Sequence, residues 1–309
     1  MVPAVAGITA CNRSSKKVIA VIPKGRAHVF WQSVHAGAVK ASREKDVEII
    51  WNGPATESEF NAQIQIVDAM INRRVDAIAL APIDENAMVQ VVERAATAKI
   101  PVVLFDSGLK SDKFATQVST DNYAAGSLAA ERMGEILGGQ GSVIIVATQA
   151  GSASTMAREQ GFEETIAKKF PAIKILDKRY GNSDYAQSLK VAENMLTAHP
   201  TVNGLFASNE SSSAGASQAL KSRSSKVKMV GFDSSQQLIA DLKAGIIDSL
   251  VVQHPFRMGY EAVISSTKAL AGEALSKIQN IAPGLVTQQN LNQPDILERI
   301  DPDLKKYLG

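Results

Sequence analysis

Residues 101–106 read Pro-Val-Val-Leu-Phe-Asp, and residues 227–233 read Val-Lys-Met-Val-Gly-Phe-Asp. Short apolar runs rich in β-branched and aromatic residues predict buried strands. Earlier runs of the same kind alternate with stretches of helical period, which is typical of a parallel sheet covered by helices on both faces. In the first half we predict strands at 18–22, 47–51, 75–80 and 101–106, with helices at 30–44, 58–72 and 86–98.

The order of strands recurs in the second half of the chain. The counterparts lie at 143–146, 173–176, 202–206 and 227–233. The first three pairs of strand starts are separated by 143 − 18 = 125, 173 − 47 = 126 and 202 − 75 = 127 residues. Offsets this constant indicate two copies of one βα lobe. We therefore expect an α/β fold of two similar, doubly wound parallel-sheet lobes.

The composition of the 309 residues is that of a globular protein, with 45% hydrophobic and 21% charged residues. Lys and Arg exceed Asp and Glu by only 33 − 31 = 2 and form no basic stripe, so we expect no nucleic-acid partner. No apolar run approaches the roughly 18 residues of a membrane helix.

Cys11 is the only cysteine, so an intrachain disulfide is impossible. It follows Ile-Thr-Ala at 8–10, which resembles a bacterial lipobox, although a chance run of small residues is the alternative. We favour lipidation at Cys11, with residues 1–15 as a signal remnant and polar tether. The lipid would be the only membrane contact of a periplasmic or extracytoplasmic protein.

Ligands of open α/β sheets bind beyond the carboxyl ends of the strands. Asp106 and Asp233 each end the fourth strand of a lobe. A carboxylate can accept hydrogen bonds from two adjacent hydroxyls, which suits a polyol held between the lobes. Helix capping would explain one such aspartate, but two at matching positions favour ligand contact.

Other strand-end residues also suit a sugar. The rings of Phe30 and Trp31 can pack on the C–H face of a sugar, although core packing is the alternative and we expect one of the two to be structural. Arg158 offers a rigid fork of donors, against the alternative of a solvated arginine. Asn209 can both donate and accept hydrogen bonds, as a hydroxyl requires.

Catalytic and metal sites find little support in the sequence. Glycine motifs for dinucleotides or phosphates do not follow any predicted strand, and residues 138–141 indicate a helix stop. The four histidines form no close pair with metal-ligand spacing. Asp106 and Asp233 would be a poor glycosidase pair because they lie on separate mobile lobes. We expect no enzyme activity, no cofactor and no metal.

The chain resembles the type I periplasmic binding proteins, and within them the ribose-binding branch of sugar receptors, from Lys16 to about Gln289. The most specific stretches are Ile-Pro-Val-Val-Leu-Phe-Asp at 100–106, Thr-Ala-His-Pro at 197–200, Phe-Ala-Ser-Asn at 206–209 and Val-Gly-Phe-Asp at 230–233. The resemblance implies ligand positions at His28, Phe30, Trp31, Asp106, Ser107, Arg158, Ser183, Asn209, Asp233 and Gln253.

The resemblance also implies a three-stranded hinge between the lobes. We expect the crossings near Thr120-Asp121, Gln253-His254 and Ala282-Pro283. The N-terminal lobe would then comprise residues 16–120 and 254–282, and the C-terminal lobe residues 121–253 and 283–309.

Four implied ligand positions depart from the ribose type. His28 replaces an asparagine, Trp31 a phenylalanine, Ser107 an arginine and Ser183 an aromatic residue, which makes ribose itself doubtful. Ile-Pro-Lys at 22–24 also resembles the branch that binds a furanosyl autoinducer, where the lysine contacts the ligand. Lys24 is therefore a further candidate, although Arg158 departs from that branch.

These observations favour a monomeric solute-binding receptor that closes on a monosaccharide or polyol and delivers it to an ABC importer permease. The carboxylates of Asp106 and Asp233 balance the charges of Lys24 and Arg158, so a neutral ligand is favoured. If Arg26 and His28 point inward, an anionic sugar becomes the better choice. The effector-binding core of a sugar-responsive repressor shares the fold and is the less favoured alternative.

Overall fold

The computed structural model describes residues 16–309, and Cys11 with the proposed tether lies outside the described residues. The first sheet comprises β1 (Val18–Ile22), β2 (Glu48–Trp51), β3 (Ala77–Leu80), β4 (Val102–Phe105), β5 (Thr116–Thr120) and β11 (Ile278–Ile281). Its helices are α1 (Val29–Lys45), α2 (Phe60–Asn72), α3 (Val89–Thr97) and α9 (Pro255–Leu270).

The second sheet repeats this arrangement. It comprises β6 (Gln140–Ala147), β7 (Ala172–Tyr180), β8 (Gly204–Ala207), β9 (Lys228–Phe232), β10 (Ser249–Val252) and β12 (Gly284–Thr287). Its helices are α4 (Asn122–Ile136), α5 (Ala153–Lys169), α6 (Tyr185–Ala198), α7 (Glu210–Ser222), α8 (Gln236–Lys243) and α10 (Pro294–Ile300), and α11 (Lys305–Leu308) ends the chain.

The two sheets have the same strand order. The first runs β11-β5-β4-β3-β1-β2 and the second β12-β10-β9-β8-β6-β7. All described pairings are parallel except that of β12 with β10, which is antiparallel. The predicted fold class of two similar α/β lobes is confirmed.

Four strands were not predicted from the sequence, namely β5, β10, β11 and β12. β5 reads Thr-Gln-Val-Ser-Thr and β11 reads Ile-Gln-Asn-Ile, so their polar content hides them from an apolar pattern. β11 and β12 are edge strands, β5 and β10 are their neighbours, and all four lie next to the places where the chain passes between the sheets. The helices α2 and α3 begin two to three residues later than predicted.

The chain passes from one sheet to the other after β5, after β10 and between β11 and β12. These places lie beside the three crossings expected from the resemblance, and the exact lobe boundaries stay a prediction. The last residues return to the first lobe, because the Arg43 guanidinium donates to the backbone oxygens of Lys306 and Tyr307.

A hydrophobic layer fills the space on each face of both sheets. Glycines let two helices approach each other in each lobe. A Cβ at Gly37 in α1 would lie 1.8 Å from the Phe256 backbone oxygen of α9, and one at Gly126 in α4 would lie 1.9 Å from that of Arg158 in α5. The close contact fixes the backbone of α5 beneath the carboxyl ends of the second sheet, where Arg158 lies.

None of the helices described in residues 16–309 is long and apolar enough to cross a lipid bilayer.

Candidate functional site

Asp106 and Asp233 follow β4 and β9 at matching places and share an unusual backbone conformation. Their φ angles are 61° and 66°, in the left-handed region that aspartate tolerates better than most residues. Each backbone N–H still donates to a neighbouring strand, at 2.9 Å to Val118 and Val251 respectively. Asp233 does not cap the helix that follows it, because Ser235 caps α8, but its carboxylate accepts a hydrogen bond from the first backbone N–H of α7. Both carboxylates are buried and face the space between the lobes.

Each aspartate is paired with charged or polar partners. The Lys24 Nζ lies 2.7 Å from Asp106 Oδ2. Asp233 accepts hydrogen bonds from Gln253 Nε2 at 2.7 Å and from the Glu210 backbone N–H at 3.0 Å. Burial raises the pKa of Asp233, and this effect outweighs the opposing charge of Arg158.

Arg158 is 2% exposed and its guanidinium is held on three sides. Its Nε donates to Asn122 Oδ1 at 2.8 Å, and its Nη1 donates to the Ser208 backbone oxygen at 3.0 Å. The guanidinium carbon lies 4.0 Å from the centre of the Phe232 ring. The alternative of a solvated surface arginine is therefore wrong. The fork is fixed before any ligand arrives, which lowers the entropy lost on binding.

Phe30 and Trp31 form an aromatic wall at the start of α1. Their ring centres are 4.8 Å apart with the rings perpendicular. Both rings line the cleft, and Trp31 also donates from Nε1 to Glu57 Oε1 at 2.7 Å. Trp31 therefore has a structural hydrogen bond as well as a face on the cleft.

Glu57 is a site residue that the sequence analysis missed. Its carboxylate lies 2.8 Å from His28 Nδ1, and it accepts a hydrogen bond at 2.8 Å from Ser183 Oγ of the second lobe. Burial acts to raise the pKa of Glu57, but the charge and hydrogen bond of His28, with Lys24 and Trp31, lower it to about 2. Burial likewise acts to lower the pKa of His28, but Glu57 and the other carboxylates raise it to about 9. The two groups form a buried ion pair.

Glu210 lies shortly after a predicted strand but was not assigned to the ligand set, and it joins the lobes. Its carboxylate accepts hydrogen bonds from the Val29 and Phe30 backbone N–H groups at 3.2 and 3.0 Å. The cap residue of α1, His28, provides no side-chain cap, so a carboxylate of the second lobe satisfies the N-terminus of this helix. Burial raises the pKa of Glu210 to about 7 despite the opposing charge of His28.

The remaining predicted residues connect these groups. Gln253 accepts a hydrogen bond from the Thr120 hydroxyl at 2.8 Å. Asn209 caps α7 through Oδ1 and donates from Nδ2 to Ser183 Oγ at 3.0 Å. Ser107 accepts a hydrogen bond from the Ser154 backbone N–H at 3.1 Å, so it joins the two lobes.

Between these side chains the two lobes leave a cavity of about 20 Å³. Nine of the eleven predicted ligand residues line it, while Ser107 and Ser183 lie behind lining residues. The lining also contains four residues that were not predicted, namely Glu57, Ser154, Thr155 and Glu210. Further contacts across the cleft join Lys24 Nζ to Ser154 Oγ at 2.9 Å and Gln149 Nε2 to the Glu57 backbone oxygen at 3.0 Å. The cleft is therefore closed in this structure.

The charge balance predicted from the sequence is wrong because it includes only four of the seven ionisable residues that line the cavity. Lys24 and Arg158 are joined by His28 as a third base, and Asp106 and Asp233 are joined by Glu57 and Glu210 as further acids. The cavity thus has three basic and four acidic residues. It has no surplus of positive charge with which to attract an anion. Within the described part of the chain, His, Cys, Asp and Glu form no group of three that could hold a metal ion.

The arrangement of closed lobes, with polar and aromatic side chains meeting in the cleft, is that of a binding protein. A family model described as "Periplasmic binding protein domain" matches residues 19–274, and the chain belongs to this family.

Relatives place the chain more narrowly. The ribose import binding protein RbsB of Bacillus subtilis is 27% identical over 260 residues, covering 84% of each chain. A D-ribose/D-allose-binding protein of Pseudomonas aeruginosa is 30% identical, covering 84% of this chain and 83% of that protein. The resemblance to the ribose-binding branch is confirmed.

Solved structures agree with this placement. A solute-binding protein of Agrobacterium radiobacter in complex with D-arabinose superposes with a TM-score of 0.90 at 31% identity, over 93% of this chain and 100% of that chain. One of Agrobacterium vitis with bound D-fucose gives 0.89 at 34% identity, over 92% and 99%.

Proposed function

We propose that this chain is the solute-binding receptor of an ABC sugar importer. The observation that carries the proposal is the closed cavity in which Asp106, Asp233 and Arg158 meet the rings of Phe30 and Trp31. Carboxylates and a guanidinium can form hydrogen bonds with the hydroxyls at the edge of a sugar ring, and aromatic faces can pack on its C–H surface. The relatives that bind ribose, allose, arabinose and fucose support this class of ligand.

The ligand is a neutral monosaccharide or polyol. The acids match the bases in number even while Glu210 is protonated, so a sugar acid or phosphorylated sugar would add unpaired negative charge to a dry cavity. A furanosyl autoinducer would need the Lys24 ammonium as a donor, but that ammonium is held by Asp106, Ser152 and Ser154. A sugar is therefore the better match to the donors and acceptors that remain.

The chain acts by closing and carries out no reaction. A ligand that contacts both lobes binds the closed form better than the open form and so shifts the equilibrium towards closure. Asp106 lies on the first lobe and Asp233 on the second, so a sugar bound to both carboxylates joins the lobes. The closed surface then docks on the permease as a monomer.

A thermal-shift screen tests the proposal. The purified protein is heated with D-ribose, D-arabinose, D-allose, D-fucose, D-galactose, D-glucose, xylitol and D-glucuronate. We expect at least one neutral sugar or polyol to raise the melting temperature, because it binds the native state preferentially. A screen in which only D-glucuronate raises the melting temperature would overturn the neutral assignment. A screen without any shift would overturn the sugar-receptor function.

We also propose that Cys11 carries a lipid that anchors the receptor on the outer side of a bacterial membrane. Support comes only from the Ile-Thr-Ala-Cys sequence at 8–11. The precursor with its complete signal, expressed in a bacterium, is expected in the membrane fraction, and Cys11→Ser is expected to release it. Recovery of unmodified wild-type protein from the soluble periplasm would contradict the anchor.

A further inference from the structure

A second pocket lies directly outside the cleft cavity. It has a volume of about 310 Å³, against about 20 Å³ for the cleft cavity. We call it the outer chamber and define it by Ala55, Thr56, Ser183, Tyr185 and Ser211. His28, Glu57 and Glu210 line both spaces, so these three residues are the partition between them.

Side chains make up this partition, which is held by the Glu57–His28 ion pair and by a hydrogen bond from Ser183 to Glu57 that a hydroxylated ligand can replace. The Glu57 carboxylate lies 2.8 Å from His28 Nδ1 and 2.8 Å from Ser183 Oγ, and Ser183 in turn accepts from Asn209 Nδ2 at 3.0 Å. Rotation of the Glu57 side chain would connect the two spaces without moving a strand. The small side chain of Ser183 matters here, because the aromatic residue implied at this position by the ribose-type pattern would cover the opening.

The outer chamber has the surface chemistry of a carbohydrate subsite. Tyr185 begins α6 and is 48% exposed, so an aromatic ring is available beside the opening. The exposed Thr56 hydroxyl lines the same space; it donates to Glu59 Oε2 at 3.0 Å and can accept a hydrogen bond from a polyol. An exposed aromatic ring among hydroxyls is suited to the mixed apolar and polar faces of a sugar.

We propose that the outer chamber is a second sugar subsite, so that the receptor takes, besides a monosaccharide, a neutral disaccharide with one ring in the cleft and the other on Tyr185. This inference rests on the proposed sugar site in the cleft. The volume of the outer chamber supports it, since about 310 Å³ lies within the roughly 300–1,000 Å³ of ligand pockets. The Glu57 carboxylate would lie near the linkage between the rings and accept a hydrogen bond from one of them.

Titration calorimetry with matched ligands tests the second subsite. The probes are D-glucose with maltose and cellobiose, D-galactose with lactose and melibiose, and D-xylose with xylobiose. We expect at least one disaccharide to bind about tenfold or more tightly than the monosaccharide it contains, which corresponds to about 1.4 kcal/mol. If monosaccharides bind and every disaccharide binds more weakly than its own monosaccharide, the second subsite does not exist.

Two variants outside the proposed cleft contacts localise the effect. Tyr185→Ala removes the exposed ring, and Ala55→Trp fills the chamber from an exposed loop position. Each should weaken the disaccharide about tenfold while changing monosaccharide affinity less than about threefold. Disaccharide binding that is unaffected by both variants would place the second ring elsewhere and overturn the proposal. If the wild type binds no sugar of either size, the sugar-receptor function itself fails, and this outcome is distinct from loss of disaccharide binding alone.

Discussion

Asp233 is the residue on which the cleft depends most directly. Its carboxylate is buried, lies 3.9 Å from the Arg158 guanidinium and is positioned by Gln253 from the hinge. Removal of the carboxylate leaves ligand hydroxyls and the Arg158 charge without a partner in a dry cavity.

We predict that Asp233→Ala weakens binding of a sugar found in the screen by at least about 2 kcal/mol, the scale of a lost hydrogen bond to a charged group. Titration calorimetry measures the change. Asp112→Ala removes the same charge from an exposed loop and should leave the affinity unchanged. Near-wild-type affinity of the Asp233 variant would remove this residue from the site.

Protonation of His28 and Glu210 should make closure depend on pH. In the closed cleft the pKa of His28 is about 9 and that of Glu210 about 7, each above its ordinary value. The His28 contribution to closure is fully present below pH about 6.5 and is lost as the pH rises through about 9. A protonated Glu210 carboxyl carries no charge, so its burial does not oppose closure. As the pH rises from about 4.5 to 7, the carboxyl ionises and its burial opposes closure progressively. Both His28 and Glu210 therefore make closure less favourable as the pH rises. Glu57, with its lowered pKa, favours closure above pH about 4.5.

We therefore predict that sugar affinity falls as the pH rises from about 5 to 9, and that binding near neutral pH takes up protons. Calorimetry in buffers of different ionisation enthalpy measures this uptake. Glu210→Gln should remove the part of the pH dependence between about pH 5 and 7. An affinity that rises over the whole range would contradict these protonation states.

Strand-end residues such as Asp106, Arg158 and Asn209 could be predicted from the sequence, because the strand pattern fixes where each loop begins. Glu57 and Glu210 could not be predicted in the same way. Glu57 lies in the loop between β2 and α2, where no apolar pattern marks its position. Glu210 directly follows Asn209, but its role depends on the N-terminus of α1 in the other lobe, and a sequence does not encode that proximity locally.

At the scale of elements, the α4–α5 contact positions Arg158. Gly126 and Gly161 lie on facing helices, and a Cβ on either would approach the backbone of the other helix to within 2.2 Å or less. The pair Gly37 and Gly259 gives the same contact between α1 and α9 in the first lobe.

We predict that Gly126→Ala destabilises the protein by about 1–3 kcal/mol through overpacking and weakens sugar binding by displacing Arg158. Chemical denaturation and calorimetry measure the two effects. Ser127→Ala on the same helix has only a weak hydrogen bond to lose, at 3.4 Å, and serves as the control. A fully stable Gly126 variant would show that α4 and α5 are free to separate.

Six of the eight predicted strands were predictable as largely buried apolar runs, whereas the edge strands β2 and β7 have shorter apolar runs and are only partly buried. Of the four missed strands, β5, β11 and β12 contain polar residues and are defined by pairing partners distant in sequence, whereas β10 was missed although it reads Ser-Leu-Val-Val. For example, Ile278 of β11 pairs with Gln117 of β5. Strand pairings of this kind depend on the completed lobe rather than on local pattern.

At the scale of the whole molecule, the closed form gathers seven ionisable residues around one cavity. Burial of these charges is unfavourable until a ligand supplies further hydrogen bonds. Side chains of one lobe contact the other lobe at the edge of this cavity. One example is the Glu210 carboxylate, which accepts hydrogen bonds from the N-terminus of α1. The two-lobe architecture followed from the repeat in the sequence, whereas the closed arrangement did not, because it depends on contacts between the copies.

Small-angle X-ray scattering of the protein with and without a sugar from the thermal-shift screen tests closure over a sugar most directly. We predict that the free protein is more open in solution and that a saturating sugar lowers its radius of gyration towards that of the closed structure. The non-binding sugars of the same screen should leave the scattering unchanged. A sugar that saturates the protein without any change in its radius of gyration would contradict a receptor that works by closing its two lobes.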